Sequence, residues 1–165
     1  MSSVAQHTDT QSQLAVLFQY TIEAYKTFEK LAEIIPNPLS AGTFQRMANT
    51  ERTHRDILEI RYLEAPGRMS ASLGSDMSFK EILEGRLSGR EIAEWLISRE
   101  KSMQKRLEQS VGAAPDNERE LLLFVAAAKH ANIVALEREL ALLRRRPDWF
   151  EREDAEHIIA HGTVE

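Results

Sequence analysis

The chain has 165 residues and a mass of 18.8 kDa, which corresponds to one domain with a sizeable hydrophobic core. Its 26 acidic and 21 basic residues give a net charge of −5, which argues against a nucleic-acid partner held by phosphate contacts. Because the chain has no cysteine, disulfides, iron–sulfur clusters, thiolate zinc sites and cysteine nucleophiles are excluded. The polar N-terminus does not resemble a signal peptide, and no apolar run is long enough for a membrane span, so we expect a cytoplasmic protein.

The first half of the chain predicts two long helices, because apolar residues recur there with a period near 3.6. The first helix is expected from about Gln13 to Ile35, where Pro36-Asn37-Pro38 ends it, and the second from about Ala41 to Leu63. The apolar seam of the first consists of Leu14, Phe18, Thr21, Tyr25, Phe28, Ala32 and Ile35. The seam of the second consists of Phe44, Met47, Glu51, His54, Leu58 and Tyr62.

A polar linker over 65–78 separates this half from the next. Capping-box patterns at Ser78–Glu81 and Ser88–Glu91 predict a short helix followed by a third long helix, from about Arg90 to Val111. A fourth is expected after 112–117 and ends at about Arg146, before Pro147. The two seams consist of Ile92, Leu96, Glu100, Met103 and Leu107, and of Leu122, Val125, Lys129, Asn132, Leu136, Leu140 and Leu143.

Two helical hairpins joined by a longer crossover describe an all-α four-helix bundle. We therefore expect a flexible N-terminus over 1–12, the bundle over 13–146, and a short C-terminal helix and tail over 147–165. The segment Asp148-Trp149-Phe150-Glu151 is expected to cap that final helix.

Polar side chains interrupt every seam near its middle. They are Thr21 on the first helix, Glu51 and His54 on the second, Glu100 on the third, and Lys129 and Asn132 on the fourth. Counted from the hairpin turns, all six lie at similar heights, about 15–22 Å along the helices. If the hairpins pack side by side, these residues form one polar belt at mid-bundle, which is where bundles build cofactor sites.

The segment Glu51-Arg52-Thr53-His54 is the candidate metal-binding motif in this belt. A carboxylate and an imidazole at i and i+3 lie on one helix face and can reach a single ion. Burying both groups without partners would cost several kcal/mol, so something inside the bundle must satisfy them. The alternative to a metal is a structural, hydrogen-bonded pair.

At these residues the chain resembles the rubrerythrin branch of the ferritin-like superfamily, over about residues 12 to 146. The resemblance implies a ferritin-like bundle in which each hairpin supplies a Glu from one helix and an ExxH motif from the next, to hold two irons. Three of the six expected ligands are present: Glu51, His54 and Glu100. The other three positions carry different residues: Thr21, Lys129 and Asn132.

This incomplete set leaves several functions open. The remaining ligands suffice for at most one iron or manganese ion per chain. Such a site would serve iron or peroxide handling, or it would be vestigial. A lysine in the belt would repel a metal ion, and Lys129 could instead neutralise Glu51 or Glu100 directly. Asn132 could then hydrogen-bond to His54 or Thr21. In that case the chain is a metal-free scaffold or interaction protein. A site completed across a dimer, and an apolar ligand in the bundle core, are further alternatives, and enzymatic activity is left open.

The predicted terminal helix carries two further features. A possible surface zinc or copper site is formed by residues spaced by four, Glu153, His157 and His161, although a solvated helix has the same pattern. Its apolar side consists of Trp149, Phe150, Ile158 and Ile159. This side is expected to dock on the bundle or on a second subunit. Together with the family resemblance, it predicts a homodimer, with no membrane or nucleic-acid partner.

Overall fold

The computed structural model describes residues 2–64 and 73–162, with side chains described over 13–61 and 73–162. Within these ranges the chain is all-helical and contains no β-strand, which confirms the predicted all-α class. The helices are α1 (Ser2–Ile34), α2 (Pro38–Glu64), α3 (Lys80–Leu83), α4 (Gly89–Val111), α5 (Asp116–Arg145), a 3-10 helix (Trp149–Glu151) and α6 (Ala155–His161). No helix in the described part is long and apolar enough to cross a membrane. The flexibility expected for residues 1–12 stays a prediction.

The four long helices pack as two antiparallel hairpins, α1 with α2 and α4 with α5. The hydrogen-bonded pairs that join the hairpins to each other include Gln13–Arg106, Tyr20–Glu100, Ser40–Glu139 and Arg61–Glu118. Residue numbers rise on one helix as they fall on its partner, so α1 is antiparallel to α4 and α2 is antiparallel to α5. It follows that α2 and α4 run in the same direction, which requires a crossover between them.

The predicted seams of α2 and α5 are buried in the core at every described position, and Tyr62 lies outside the described side chains. The α4 seam is buried as well, apart from the half-buried Ile92. On α1 four of the seven predicted seam residues are buried: Leu14, Thr21, Phe28 and Ile35. The buried face also includes residues that the spacing had left out, Leu17, Tyr20, Ala24 and Leu31.

The predicted α1 seam residues Phe18, Tyr25 and Ala32 are only half buried, at the edge of this face. The guanidinium of Arg55 lies 5.1 Å from the centre of the Tyr25 ring. An amphipathic ring can cover the rim of a core while staying partly exposed, which explains why Tyr25 lies at the edge of the buried face.

The helix starts are set by local hydrogen bonds. At Ser88 the capping box is formed as predicted, because the Ser88 hydroxyl accepts from the Glu91 N–H and the Glu91 carboxylate accepts from the Ser88 N–H, both at 3.2 Å. The box predicted at Ser78 is wrong. The Ser78 hydroxyl accepts instead from the Lys80 N–H at 3.3 Å, and α3 is a single turn.

Arg99 attaches the crossover to α4. Its Nε donates to the Ser78 carbonyl at 2.8 Å and its Nη2 donates to the Ser75 carbonyl at 3.3 Å. Its guanidinium also lies 3.8 Å from the centre of the Trp95 ring. These contacts hold the second part of the crossover against the bundle, although the chain is irregular there.

Asn37 starts α2 and anchors the C-terminal segment. Its Oδ1 accepts from two backbone N–H groups in the first turn, at 2.9 and 3.2 Å, so α2 begins at Pro38, three residues earlier than predicted. Its Nδ2 donates to the Trp149 carbonyl at 2.7 Å, and its backbone N–H donates to the Phe150 carbonyl at 3.0 Å. One buried amide therefore links the first hairpin turn to the end of the chain.

The C-terminal segment docks on the bundle, as predicted, through the buried side chains of Trp149 and Phe150. Ile158 packs partly against the core, whereas Ile159 is exposed. The expected single capped helix is instead a 3-10 turn followed by α6, and Asp148 makes no side-chain cap. Because this segment uses most of its apolar side within its own chain, it offers little surface to a second subunit.

Candidate functional site

The structure buries all six predicted belt residues in the middle of the bundle. Thr21, Glu51, Glu100 and Lys129 are fully buried, and His54 and Asn132 nearly so. Four of them, from three helices, contact one another directly: Glu51, Glu100, Lys129 and Asn132. The equal heights counted along the helices therefore predicted a real cluster.

Lys129 is the centre of this cluster. Its ammonium forms an ion pair and a hydrogen bond with Glu51 Oε1, and lies 3.5 Å from Glu100 Oε2. It also lies 5.0 Å from the centre of the Tyr20 ring, a cation–π arrangement. A positive charge thus lies between the carboxylates of Glu51 and Glu100, which belong to different hairpins.

Glu100 is satisfied at both oxygens. The Tyr20 hydroxyl donates to Oε2 at 2.5 Å, and Asn132 Nδ2 donates to Oε1 at 2.7 Å. Asn132 Nδ2 also reaches Glu51 Oε1, at 3.3 Å. Asn132 thus bonds to the two glutamates, rather than to His54 or Thr21 as the sequence had suggested. Tyr20 was missed because it immediately precedes Thr21, which the apolar spacing had placed on the seam.

Thr21 is buried but bonds elsewhere. Its hydroxyl donates to the Leu17 carbonyl, at 2.8 Å, one turn earlier in α1. A threonine inside a helix commonly makes this bond to the i−4 carbonyl, which satisfies the hydroxyl locally. Thr21 therefore contributes no hydrogen bond to the cluster.

On the side of Glu51 that faces His54, two buried atoms of the described chain lack hydrogen bonds. Glu51 Oε2 and His54 Nδ1 lie 3.7 Å apart, beyond hydrogen-bond distance, and neither atom has a hydrogen-bond partner among the described residues. The imidazole packs edge-to-face on Phe124, with ring centres 5.6 Å apart. These two atoms are the part of the site whose hydrogen-bonding capacity the described residues leave unused.

Burial and charge act in opposite directions on the ionisable groups. Burial alone would raise the pKa of Glu51, but the Lys129 ammonium and His54 outweigh it and the pKa is lowered. Burial also raises the pKa of Glu100, which Lys129 offsets only in part. For Lys129, burial would lower the pKa, but the two glutamates outweigh it and the pKa is raised. Lys129 therefore stays protonated at neutral pH and is not available as an amine nucleophile.

The Tyr20 hydroxyl is also held in its protonated form, because burial and then the negative charge of Glu100 raise its pKa well above the ordinary value. The hydroxyl keeps its proton and uses it in the hydrogen bond to Glu100. Apart from Glu51 Oε2, the cluster is thus a set of charged and polar groups with matched donors and acceptors, arranged around the Lys129 counter-charge.

No group of three or more His, Asp or Glu side chains is arranged to hold a metal ion in the described part of the chain. In the belt, Glu100 is taken up by Tyr20, Asn132 and Lys129. The possible surface site on the terminal helix fails for a different reason. Glu153 precedes α6, so it does not share a helical face with His157 and His161, whose ring centres lie 4.8 Å apart.

No family model, curated protein or solved structure matches this chain.

Proposed function

We propose that this chain is a ferritin-like bundle in which the Lys129 ammonium takes the place of a metal ion, and that it works as a scaffold or interaction protein. Two antiparallel hairpins, joined by a crossover that leaves α2 and α4 parallel, support this arrangement. The polar residues that the resemblance aligns with iron ligands also lie at mid-bundle and are buried.

The observation that carries the proposal is the contact of one buried ammonium with both belt carboxylates. A divalent ion about 4 Å from this ammonium would be repelled by about 8 kcal/mol at an effective dielectric constant of about 20. The two glutamates gain their compensating charge from Lys129 without any ion. The lysine thus supplies the cation that the carboxylates require, and it does so without redox chemistry.

A single iron or manganese ion is the second candidate, favoured by the unpaired atoms Glu51 Oε2 and His54 Nδ1. These two side chains would hold the ion, which would supply Lewis-acid or redox chemistry when bound. The third expected ligand fits poorly, because both oxygens of Glu100 already accept hydrogen bonds. Lys129 would also have to move before an ion could approach, so the metal-free function is the better supported of the two.

Manganese binding by wild type and by Lys129→Glu tests this proposal. The substitution removes the repelling charge and adds a carboxylate at the position where the resemblance expects one. We expect no Mn²⁺ binding by wild type in equilibrium dialysis, but uptake of about one ion per chain by Lys129→Glu, lost again when Glu51→Ala is added. Lys101→Glu, at an exposed position on α4, is the matched control and should bind none. Stoichiometric binding by wild type that Glu51→Ala abolishes would favour the single-metal function instead.

A further inference from the structure

The outer face of α5 is unusual for an exposed helix surface because it lacks charge over four turns. Between Glu120 and Glu137 the only charged residue is Lys129, and its side chain is buried. The stretch is about 24 Å long at 1.5 Å per residue. Large apolar side chains stand exposed on it: Leu123 at 45%, Phe124 at 56% and Val134 at 54%.

Small residues occupy the centre of this face. Ala127 and Ala131 are both exposed and lie two positions before and after Lys129. At 100° per residue they point about 160° away from the buried lysine, on the solvent side of the helix. Two alanines at the middle let another helix approach closely, while Phe124 and Val134 provide apolar flanks.

The ends of the face carry opposite charges. Glu120 and Arg138 lie nine positions before and after Lys129, and both are exposed. A separation of nine residues is two and a half turns, so both positions lie on the side of the helix opposite Lys129, the same side as the alanines. Arg138 also lines a cavity with Thr43 and Ile159. Neither makes an ion pair with any described residue.

We propose that this face binds a second copy of the same chain, with the two α5 helices antiparallel about a two-fold axis at the level of residue 129. This symmetry places Ala127 of one protomer against Ala131 of the partner subunit. It also places Glu120 against Arg138 of the partner subunit, and this pairing occurs twice. The face is therefore complementary to itself in shape and charge, which is the requirement of a two-fold interface.

The interface is distinct from the one expected from the sequence, which relied on the terminal helix. A standard stable interface buries about 800 Å² per partner, more than one helix face of this length supplies. We therefore expect a dimer with a dissociation constant in the micromolar range. The proposal is independent of what occupies the bundle interior, so metal content does not bear on it.

Sedimentation velocity of the full chain, from about 1 to 300 µM, tests the proposal through a charge swap. We expect wild type to pass from monomer to dimer over this range. Glu120→Arg and Arg138→Glu each bring like charges together twice, and each should raise the dissociation constant about tenfold. The double variant restores opposite charges and should return the constant to near the wild-type value. Glu33→Arg, an exposed change of the same kind on α1, is the matched control and should leave it unchanged.

A second variant tests the centre of the face. Ala131→Glu should abolish dimerisation, because it buries a carboxylate without a partner, and its circular dichroism should remain that of wild type since the position is exposed. A wild-type chain that stays monomeric at 300 µM overturns the proposal. So does a dimer that survives Ala131→Glu, or one whose two charge variants are not rescued by the double variant, since the subunits would then meet elsewhere.

Discussion

Replacing Lys129 by methionine removes the ammonium but keeps an unbranched side chain of similar length. Glu51 and Glu100 would then be buried without their counter-charge. Removing one partner of a buried ion pair typically costs about 3–5 kcal/mol, because the remaining charge stays desolvated. A domain of this kind has a total stability of about 5–15 kcal/mol, so the loss is about a fifth of it or more.

Urea unfolding followed by tryptophan fluorescence measures this loss, because Trp149 is buried in the folded chain. With a slope of about 2 kcal/mol per molar urea, we expect the midpoint of Lys129→Met to fall by about 2 M. Lys101→Met removes an exposed lysine that lies 3.5 Å from Glu137, and should cost less than about 1 kcal/mol.

Neutralising the carboxylates separates charge from packing. Adding Glu51→Gln and Glu100→Gln to Lys129→Met should recover much of the lost stability, because amides need no counter-charge. If Lys129→Met were as stable as wild type while binding no metal, the ammonium would not be the counter-charge of the cluster and our reasoning would be refuted.

Three further predictions concern alkaline pH, the cluster hydroxyl and the first hairpin turn. The raised pKa of Lys129 contributes stability that is fully present below about pH 10.4 and is lost as pH rises through the folded value. Urea midpoints should therefore fall more steeply for wild type than for Lys129→Met as the pH is raised from about 10 to about 12. Equal slopes would contradict this. Tyr20→Phe removes the donor to Glu100 Oε2 and should lower the free energy of unfolding in urea at pH 7 by about 1–3 kcal/mol. An unchanged midpoint would mean that another donor satisfies this oxygen. Asn37→Ala removes the α2 cap and the hydrogen bond to the Trp149 carbonyl, and should lower the free energy of unfolding by about 1–2 kcal/mol. A loss below about 0.3 kcal/mol would show that the turn does not depend on Asn37.

The sequence predicted the helices and most of the cluster, because burial on a helix follows a regular period. Glu51, Glu100 and Lys129 interrupt otherwise apolar seams, which placed them inside at one level before any contact was known. The role of Lys129 as a counter-charge to these glutamates was one of the alternatives, and the direct contacts agree with it.

Other features depend on contacts between distant parts of the chain, which periodicity does not report. Tyr20 belongs to the cluster because its hydroxyl reaches Glu100 on another helix, although the apolar spacing pointed to its buried neighbour Thr21. Asn37 caps α2 and also binds the segment at Trp149, and nothing local in the sequence distinguishes it from an ordinary turn residue. Glu139 is buried for a similar reason, because the Ser40 hydroxyl and the Trp149 indole N–H donate to it at 2.8 and 3.2 Å.

The most direct test of the proposed function is elemental analysis of wild-type protein purified without chelator. Because the Lys129 ammonium already lies between the two carboxylates of the belt and would repel a metal ion, we expect iron and manganese far below one ion per chain. About one iron or manganese ion per chain, absent from Glu51→Ala purified in the same way, would contradict the proposal and show that a metal ion competes successfully with the lysine.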